Sequence, residues 1–215
     1  SNYIRGVLLV LNTIGKKIPG LNILIYGDVP LEAGLSSSAA LEVSCITGLN
    51  SLCHMGLSPK EIAKIGQKAE NDFVGVKCGL MDQFISVFGR KDSAVFLDCL
   101  TLEYKIIPFE LKSRGLRMLI YNTRVKRKLA NSEYNKRRSE ANSALDELRK
   151  NGVYSFRDIS VVDIEKRKKN LEGNLFKRAK HVVSENYRVK KALEALNNND
   201  FIQLGKLLFF SHESL

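Results

Sequence analysis

The chain has little of what builds disulfide frameworks, zinc centres or membrane spans. Its four cysteines (Cys45, Cys53, Cys78 and Cys99) are widely spaced among 215 residues, with no Cys-x-x-Cys pair, and only three histidines accompany them. That spacing argues against a disulfide scaffold or a zinc site, and leaves core packing as the role of Cys45 and Cys53 in their apolar helical surroundings. No stretch reaches the ~20 apolar residues that a membrane-spanning helix needs. The apolar run at residues 6–11 is short and has neither a basic leader nor a small-residue cleavage site beside it, so the chain is expected to be cytoplasmic, with no membrane partner. Internal repeats, low-complexity tracts and zinc-knuckle or Arg/Gly-aromatic motifs are also missing, and the last two absences argue against nucleic-acid binding.

What is present is an ordinary globular composition, 44% hydrophobic and 27% charged, in a chain long enough for one large domain or two small ones. The net charge is +11, and much of the excess sits in residues 114–138 and 166–180. Such an excess suits nucleic acid or an anionic small molecule. Both stretches also hold acids or helically spaced apolar residues, so solvated helix faces and loops are the favoured reading, and no nucleic-acid partner is expected.

Along the chain, Ile4, Val7, Leu8 and Leu11 share one face of a helix over residues 3–13. Residues 21–26 read as a short strand, followed by a loop rich in Pro, Gly and Ser and then an apolar helix over 39–54. Ser58, Pro59 and Glu61 form a helix start with a capping box. That helix is expected to carry Ile62, Ile65, Ala69 and Phe73 inward and to end near Val74 and Gly75. Another helix begins near Met81 and Asp82. Residues 94–97, 103–108 and 118–122 read as strands, and residues 132–150 as a helix closed by Gly152. The rest, from about Asp163, is helix on helix, broken once at residues 198–200 with Asp200 as a cap. The change of character near residues 112–115 places a domain boundary there.

Two constellations carry chemistry. The first is Pro30-Leu31-Glu32-Ala33-Gly34-Leu35-Ser36-Ser37-Ser38-Ala39-Ala40. Small residues let backbone N–H groups approach an anion, and the helix opening beyond the serines presents free donors and its positive dipole end. Hydroxyls at such a place can also ligate Mg²⁺. Taken alone, three serines are more often a helix cap. The run resembles the second motif of the galactokinase–homoserine kinase–mevalonate kinase–phosphomevalonate kinase superfamily, Pro-x-Gly-x-Gly-Leu-(Gly/Ser)-Ser-Ser-Ala. The resemblance implies that residues 32–38 hold the phosphates of ATP and that Ser38 ligates Mg²⁺. Glu32 stands where the pattern has its first glycine, placing a carboxylate near a triphosphate.

The second constellation, Ala69-Glu70-Asn71-Asp72-Phe73-Val74-Gly75 followed by Cys78-Gly79-Leu80-Met81-Asp82-Gln83, is similar to that of the galactokinases within the superfamily. By that resemblance Glu70 is the second Mg²⁺ ligand and Asp82 is the catalytic aspartate facing the C1 hydroxyl of the sugar, as a base or as an orienting group. Cys78 and Gly79 then line the sugar pocket. Residues 94–102 resemble an Asp-Cys-x-x-Leu segment of the same family. Residues 122–138 resemble its Asn-x-x-x-Lys-Arg and Ser-x-Tyr-Asn-x-Arg-Arg segments, which gives Tyr134 a hydrogen bond to the sugar. Residues 181–186 and 212–215 match helical segments to which packing roles are assigned.

The resemblance implies an α+β fold in two domains: residues 1–114 as the remainder of a ribosomal protein S5 domain 2-like nucleotide-binding domain, and 115–215 as the first part of a ferredoxin-like, helical domain. It covers nearly the whole chain. The family's N-terminal sugar motif with its Arg and its C-terminal Gly-rich motif are not found in it, so a fragment is expected. The implied activity is transfer of the γ-phosphoryl of ATP to galactose by a monomer. A galactokinase-like sugar sensor that regulates transcription is the rival reading, and a nucleic-acid-binding module ranks third.

Overall fold

The computed structural model describes residues 1–31, 33–123 and 133–215. The chain forms two compact units, Ser1–Asn131 and Ser132–Leu215.

The first unit is built on a trio of helices: α1 (Asn2–Thr13), α2 (Ser37–Leu52) and α3 (Pro59–Ala69). Each offers an apolar stripe at helical spacing: Val7, Val10 and Leu11 from α1, Val43, Ile46 and Leu49 from α2, and Ile62, Ile65 and Ala69 from α3. Together with Met55 these side chains form one buried cluster, with Cys45 and Cys53 packed at its margin. Burying each large aliphatic side chain contributes about 1.5–3 kcal/mol. Gly6 sets the closeness of one crossing, because a Cβ there would lie 3.1 Å from both Ala69 O and Phe73 Cβ. The start of α3 is as the sequence predicts. The Ser58 hydroxyl accepts from the Glu61 N–H while Glu61 Oε2 accepts from the Ser58 N–H at 2.8 Å, a complete capping box.

After Ala69 the helix widens. Residues Glu70–Val74 form a π-helical turn, closed by Gly75 at φ +85°, whose N–H donates to Glu70 O at 3.0 Å. The widened turn corrects the expectation for Phe73. An α-helix would place it below Ala69 on the buried face, but a π turn spends an extra residue per turn and rotates the side chains beyond it. Phe73 is accordingly exposed on one side.

Helix α4 (Met81–Phe88) and a hairpin complete the described part of this unit. Strands β1 (Ser93–Leu97) and β2 (Tyr104–Pro108) pair antiparallel, with Ser93 opposite Pro108 and Leu97 opposite Tyr104. Asp98 shapes the connection by accepting from the N–H groups of Leu100 and Thr101 at 2.9 and 3.0 Å. Phe84 stacks on Phe88 with ring centroids 4.3 Å apart, and Tyr104 meets Phe84 edge-on at 5.4 Å. Ala63, Leu80 and Phe84 form a second buried cluster against the hairpin residues Val95, Leu97 and Leu102.

Two expected strands are not strands. Residues 21–26 and 118–122 are extended or irregular, without ladder partners among the described residues. Leu24 and Tyr26 are 97% and 93% exposed. β-propensity expresses itself only against a neighbour that takes up the backbone N–H and C=O groups.

The second unit is helical: α5 (Glu133–Arg149), α6 (Val161–Lys166), α7 (Asn174–Asn197) and α8 (Phe201–Ser214). Ala144, Leu148, Ile159, Ile164, Phe176 and Val183 share its core. Ser160 caps α6, and Asp200 caps α8 by accepting from the Gln203 N–H at 2.9 Å. A polar clip joins α7 to α8: Ser211 donates to Glu185 at 2.8 Å, Arg188 donates to Ser214 Oγ at 2.7 Å, and His181 Nδ1 meets the same oxygen at 2.7 Å.

Candidate active site

The loop before α2 brings its hydroxyls to a helix opening. Gly34 has φ +73°, and Ser36 is left-handed at φ 54°, a conformation that L-residues other than Gly, Asn and Asp adopt sparingly. Ser36 is the N-cap of α2 and makes no side-chain cap bond, so the first-turn N–H groups at Ser37, Ser38 and Ala39 are not capped by it. The N–H of Ala40 is drawn back into the turn, donating to Ser36 O at 3.0 Å. First-turn donors, a run of small residues and a helix dipole make an anion cradle. Leu35 and Gly34 are exposed beside it, and Ala33 is half-buried. Glu32 lies outside the described residues.

From this opening Ser38 reaches the π turn. Its hydroxyl donates to Glu70 Oε1 at 3.2 Å, joining positions 32 residues apart. Glu70 is only 5% exposed. Burial pushes its carboxyl above the ordinary value, the hydrogen bonds from Ser38 and Gln83 pull it back, and the Asp82 carboxylate nearby pushes it up again. Asp82 sits in the first turn of α4, half-buried.

Cys78 closes the same group. Its thiol donates to Asn71 Oδ1 at 3.4 Å, and Gln67 Nε2 donates to its carbonyl at 3.3 Å. Burial and then the Glu70 carboxylate push this thiol up to about 12, so it is a neutral lining group and not a nucleophile. Gly79 lies in the loop that enters α4. Tyr134, the remaining expected sugar contact, lies in the second unit near the start of α5 and is 41% exposed.

Two residues of this cluster went unassigned in the sequence. Gln83 and Glu42 are both wholly buried. Gln83 Nε2 donates to Glu70 Oε2 at 2.7 Å and to Glu42 Oε2 at 3.2 Å. Burial, as the largest cause, raises the Glu42 carboxyl to about 8, and neither Glu42 nor Glu70 draws on a Lys or Arg among the described residues. Gly66 of α3 forms the floor beneath them, since a Cβ there would come within 3.1 Å of Gln83 Cγ. A signal for Glu42 was available: it stands three residues after Ala39 and four before Ile46, on the buried stripe of α2.

Among the described residues no three His, Cys, Asp or Glu side chains gather into a metal cage. A hydroxyl and one desolvated carboxylate facing each other at a helix opening instead fit a hard divalent cation that takes its remaining ligands from phosphate and water, as Mg²⁺ does.

Comparison with known proteins finds relatives along the whole chain. Residues 2–90 match the profile of the GHMP kinases N terminal domain. A galactokinase of Thermotoga petrophila is 45% identical over 215 residues, all of this chain and 59% of its own length. One from Clostridium acetobutylicum is 44% identical over 218 residues, again all of this chain and 56% of its own length. The chain thus spans well under two thirds of these curated relatives. The crystal structure of Lactococcus lactis galactokinase complexed with galactose superposes with a TM-score of 0.90 at 36% identity, over 100% of this chain and 56% of that one. The matching profile and the shared fold place the chain in the GHMP kinase family, similar along its whole length to the galactokinases.

Proposed function

We propose that this chain is the nucleotide- and metal-holding part of a galactokinase, which converts ATP and α-D-galactose to ADP and galactose 1-phosphate. The observation that carries the reading is the meeting of the Ser38 hydroxyl and the buried Glu70 carboxylate at the opening of α2, with Asp82 one residue from Gln83, which holds Glu70. The similarity to galactokinases over all 215 residues supports the choice of sugar.

In this reading residues 32–38 cradle the nucleotide phosphates with backbone N–H groups. Ser38 and Glu70 hold Mg²⁺, which when bound neutralises phosphate charge. Asp82 accepts the hydrogen bond of the galactose C1 hydroxyl, aligns its oxygen on the γ-phosphorus, and takes the proton as the new P–O bond forms and the bond to the ADP oxygen breaks. Phosphoryl transfer asks for little beyond positioning and charge neutralisation. Cys78 and Gly79 line the sugar side, and the Tyr134 hydroxyl supplies a further hydrogen bond. Residues 1–114 then belong to the nucleotide-binding domain and 115–215 to the one after it, in a cytoplasmic monomer. No helix of the described residues is long and apolar enough to cross a membrane.

The test is sugar-dependent ADP release by the intact protein with Mg²⁺. Galactose should be turned over and Asp82→Ala should abolish most of that turnover. Tight Mg²⁺·ATP binding with no hexose phosphorylated would overturn the assignment.

A further inference from the structure

The Gln83 amide has two N–H groups, and the structure commits both. One points to Glu70 Oε2 at 2.7 Å and the other to Glu42 Oε2 at 3.2 Å, across 13 and 41 residues of sequence respectively. Its contact with Cys78 Sγ, at 3.9 Å, is the weakest of the three. With both N–H groups used, the amide has one rotamer and one facing that satisfies its neighbours; turned over, its oxygen would crowd two carboxyl groups. Glu70 is thereby divided between partners, its Oε2 held by Gln83 and its Oε1 by the Ser38 hydroxyl.

We propose that Gln83 and Glu42 are positioning residues for the cation site: Glu42 sets the facing of the Gln83 amide, and the amide holds Glu70 Oε2 so that Oε1 is aimed at the side of Ser38. The inference rests on the reading of Glu70 as a Mg²⁺ ligand. Its physical basis is cost. Among the described residues Glu42 Oε1 and Gln83 Oε1 are buried with no hydrogen-bond partner, which a core selected for stability alone removes by using apolar side chains. Partners that orient a metal ligand are worth about 10–100-fold in affinity or activity.

The experiment is calorimetric titration of the intact protein with Mg²⁺·ATP in the absence of sugar, alongside metal-free ATP, with an unfolding midpoint for every variant. Gln83→Met keeps the length of the side chain and removes both donors; it should weaken Mg²⁺·ATP binding about 10–100-fold and leave metal-free ATP binding unchanged. Glu42→Leu should weaken it in the same sense while its unfolding midpoint holds or rises. Glu42→Gln, whose amide oxygen still accepts from Gln83, should restore binding to near the parent value. Should Gln83→Met fail to fold, Gln83→Asn, too short to span both carboxyl groups, gives the same readout. Parent-like Mg²⁺·ATP binding by Gln83→Met and Glu42→Leu, with binding lost in Glu70→Gln, overturns the positioning role and leaves the site reading intact. Losses that merely track the unfolding midpoints, or a Glu42→Gln variant as impaired as Glu42→Leu, overturn it as well. Parent-like binding by Glu70→Gln defeats the reading beneath it.

Discussion

Two buried acids of the first unit are kept in a way opposite to the paired acids of the second. In the second unit they meet cations: Glu140 pairs with Arg178 at 2.8 Å, Glu165 with Lys180 at 2.6 Å, and Glu147 with Lys150 at 2.8 Å. In the first unit Glu42 and Glu70 are buried side by side in a helical core, with an amide and a hydroxyl for company and no cation among the described residues. Exposed pairs such as Glu147 with Lys150 cost little and contribute little. Buried acids without cations are costly and persist where something other than stability retains them. The difference falls where the proposed site lies, which the net charge of the chain does not indicate.

The sharpest break of this contrast comes from the reaction. Asp82→Ala in the intact protein should lower kcat about 10²–10⁴-fold, the usual contribution of a positioned base, with little change in unfolding midpoint. A coupled assay for ADP reads the first quantity and thermal unfolding the second.

Next is the pH dependence of stability, which the two kinds of acid should show with opposite signs. Glu42 in the folded chain titrates near 8 against an ordinary value of 4.5. Below about pH 4.5 both states carry the proton and no penalty exists. As pH rises toward 8 the unfolded chain releases its proton while the folded chain keeps it, so stability falls, by on the order of a few kcal/mol. Glu42→Leu should flatten that decline in denaturant titrations run across the window. An unchanged slope in the variant would show that the decline belongs to other groups.

Smaller effects belong to the conventional parts. Ser58→Ala removes one side of the capping box that starts α3 and should cost about 1 kcal/mol in a urea titration. Lys150→Ala, which breaks an exposed pair in the second unit, should shift stability by less than about 0.5 kcal/mol. A larger loss there would erase the distinction between the units.

Legibility in the sequence tracked the range of the interactions. The start of α3 at Ser58 and the cap of α8 at Asp200 were readable because donor and acceptor stand three residues apart. Residues 94–97 and 103–108 were readable as strands from their β-prone runs, whereas the turn that Asp98 makes between them came only with the structure. Residues 21–26 and 118–122 are also apolar, β-prone runs, but a strand is decided by a distant partner. Phe73 was misplaced because a 3.6-residue period contains no sign of the widened turn at Glu70–Val74. At the site, helical spacing alone would not have joined Ser38 to Glu70; a resemblance between motifs did, and their 3.2 Å contact now stands beside it. Glu42 escaped notice because its partner is 41 residues away and its neighbours on α2 are apolar.

Gly66 turns that buried cluster into something adjustable. It carries no charge and reaches no phosphate, and alanine in its place should improve the intrinsic helicity of α3 by about 1 kcal/mol. Yet the added methyl would press on Gln83 Cγ from 3.1 Å, moving the amide by tenths of an ångström without altering a single polar group. Position 66 is therefore a place where local helix stability and the alignment of Glu70 can be driven in opposite directions by one methyl group. Substitutions that look silent in a comparison of polar residues could tune the affinity of the site from there.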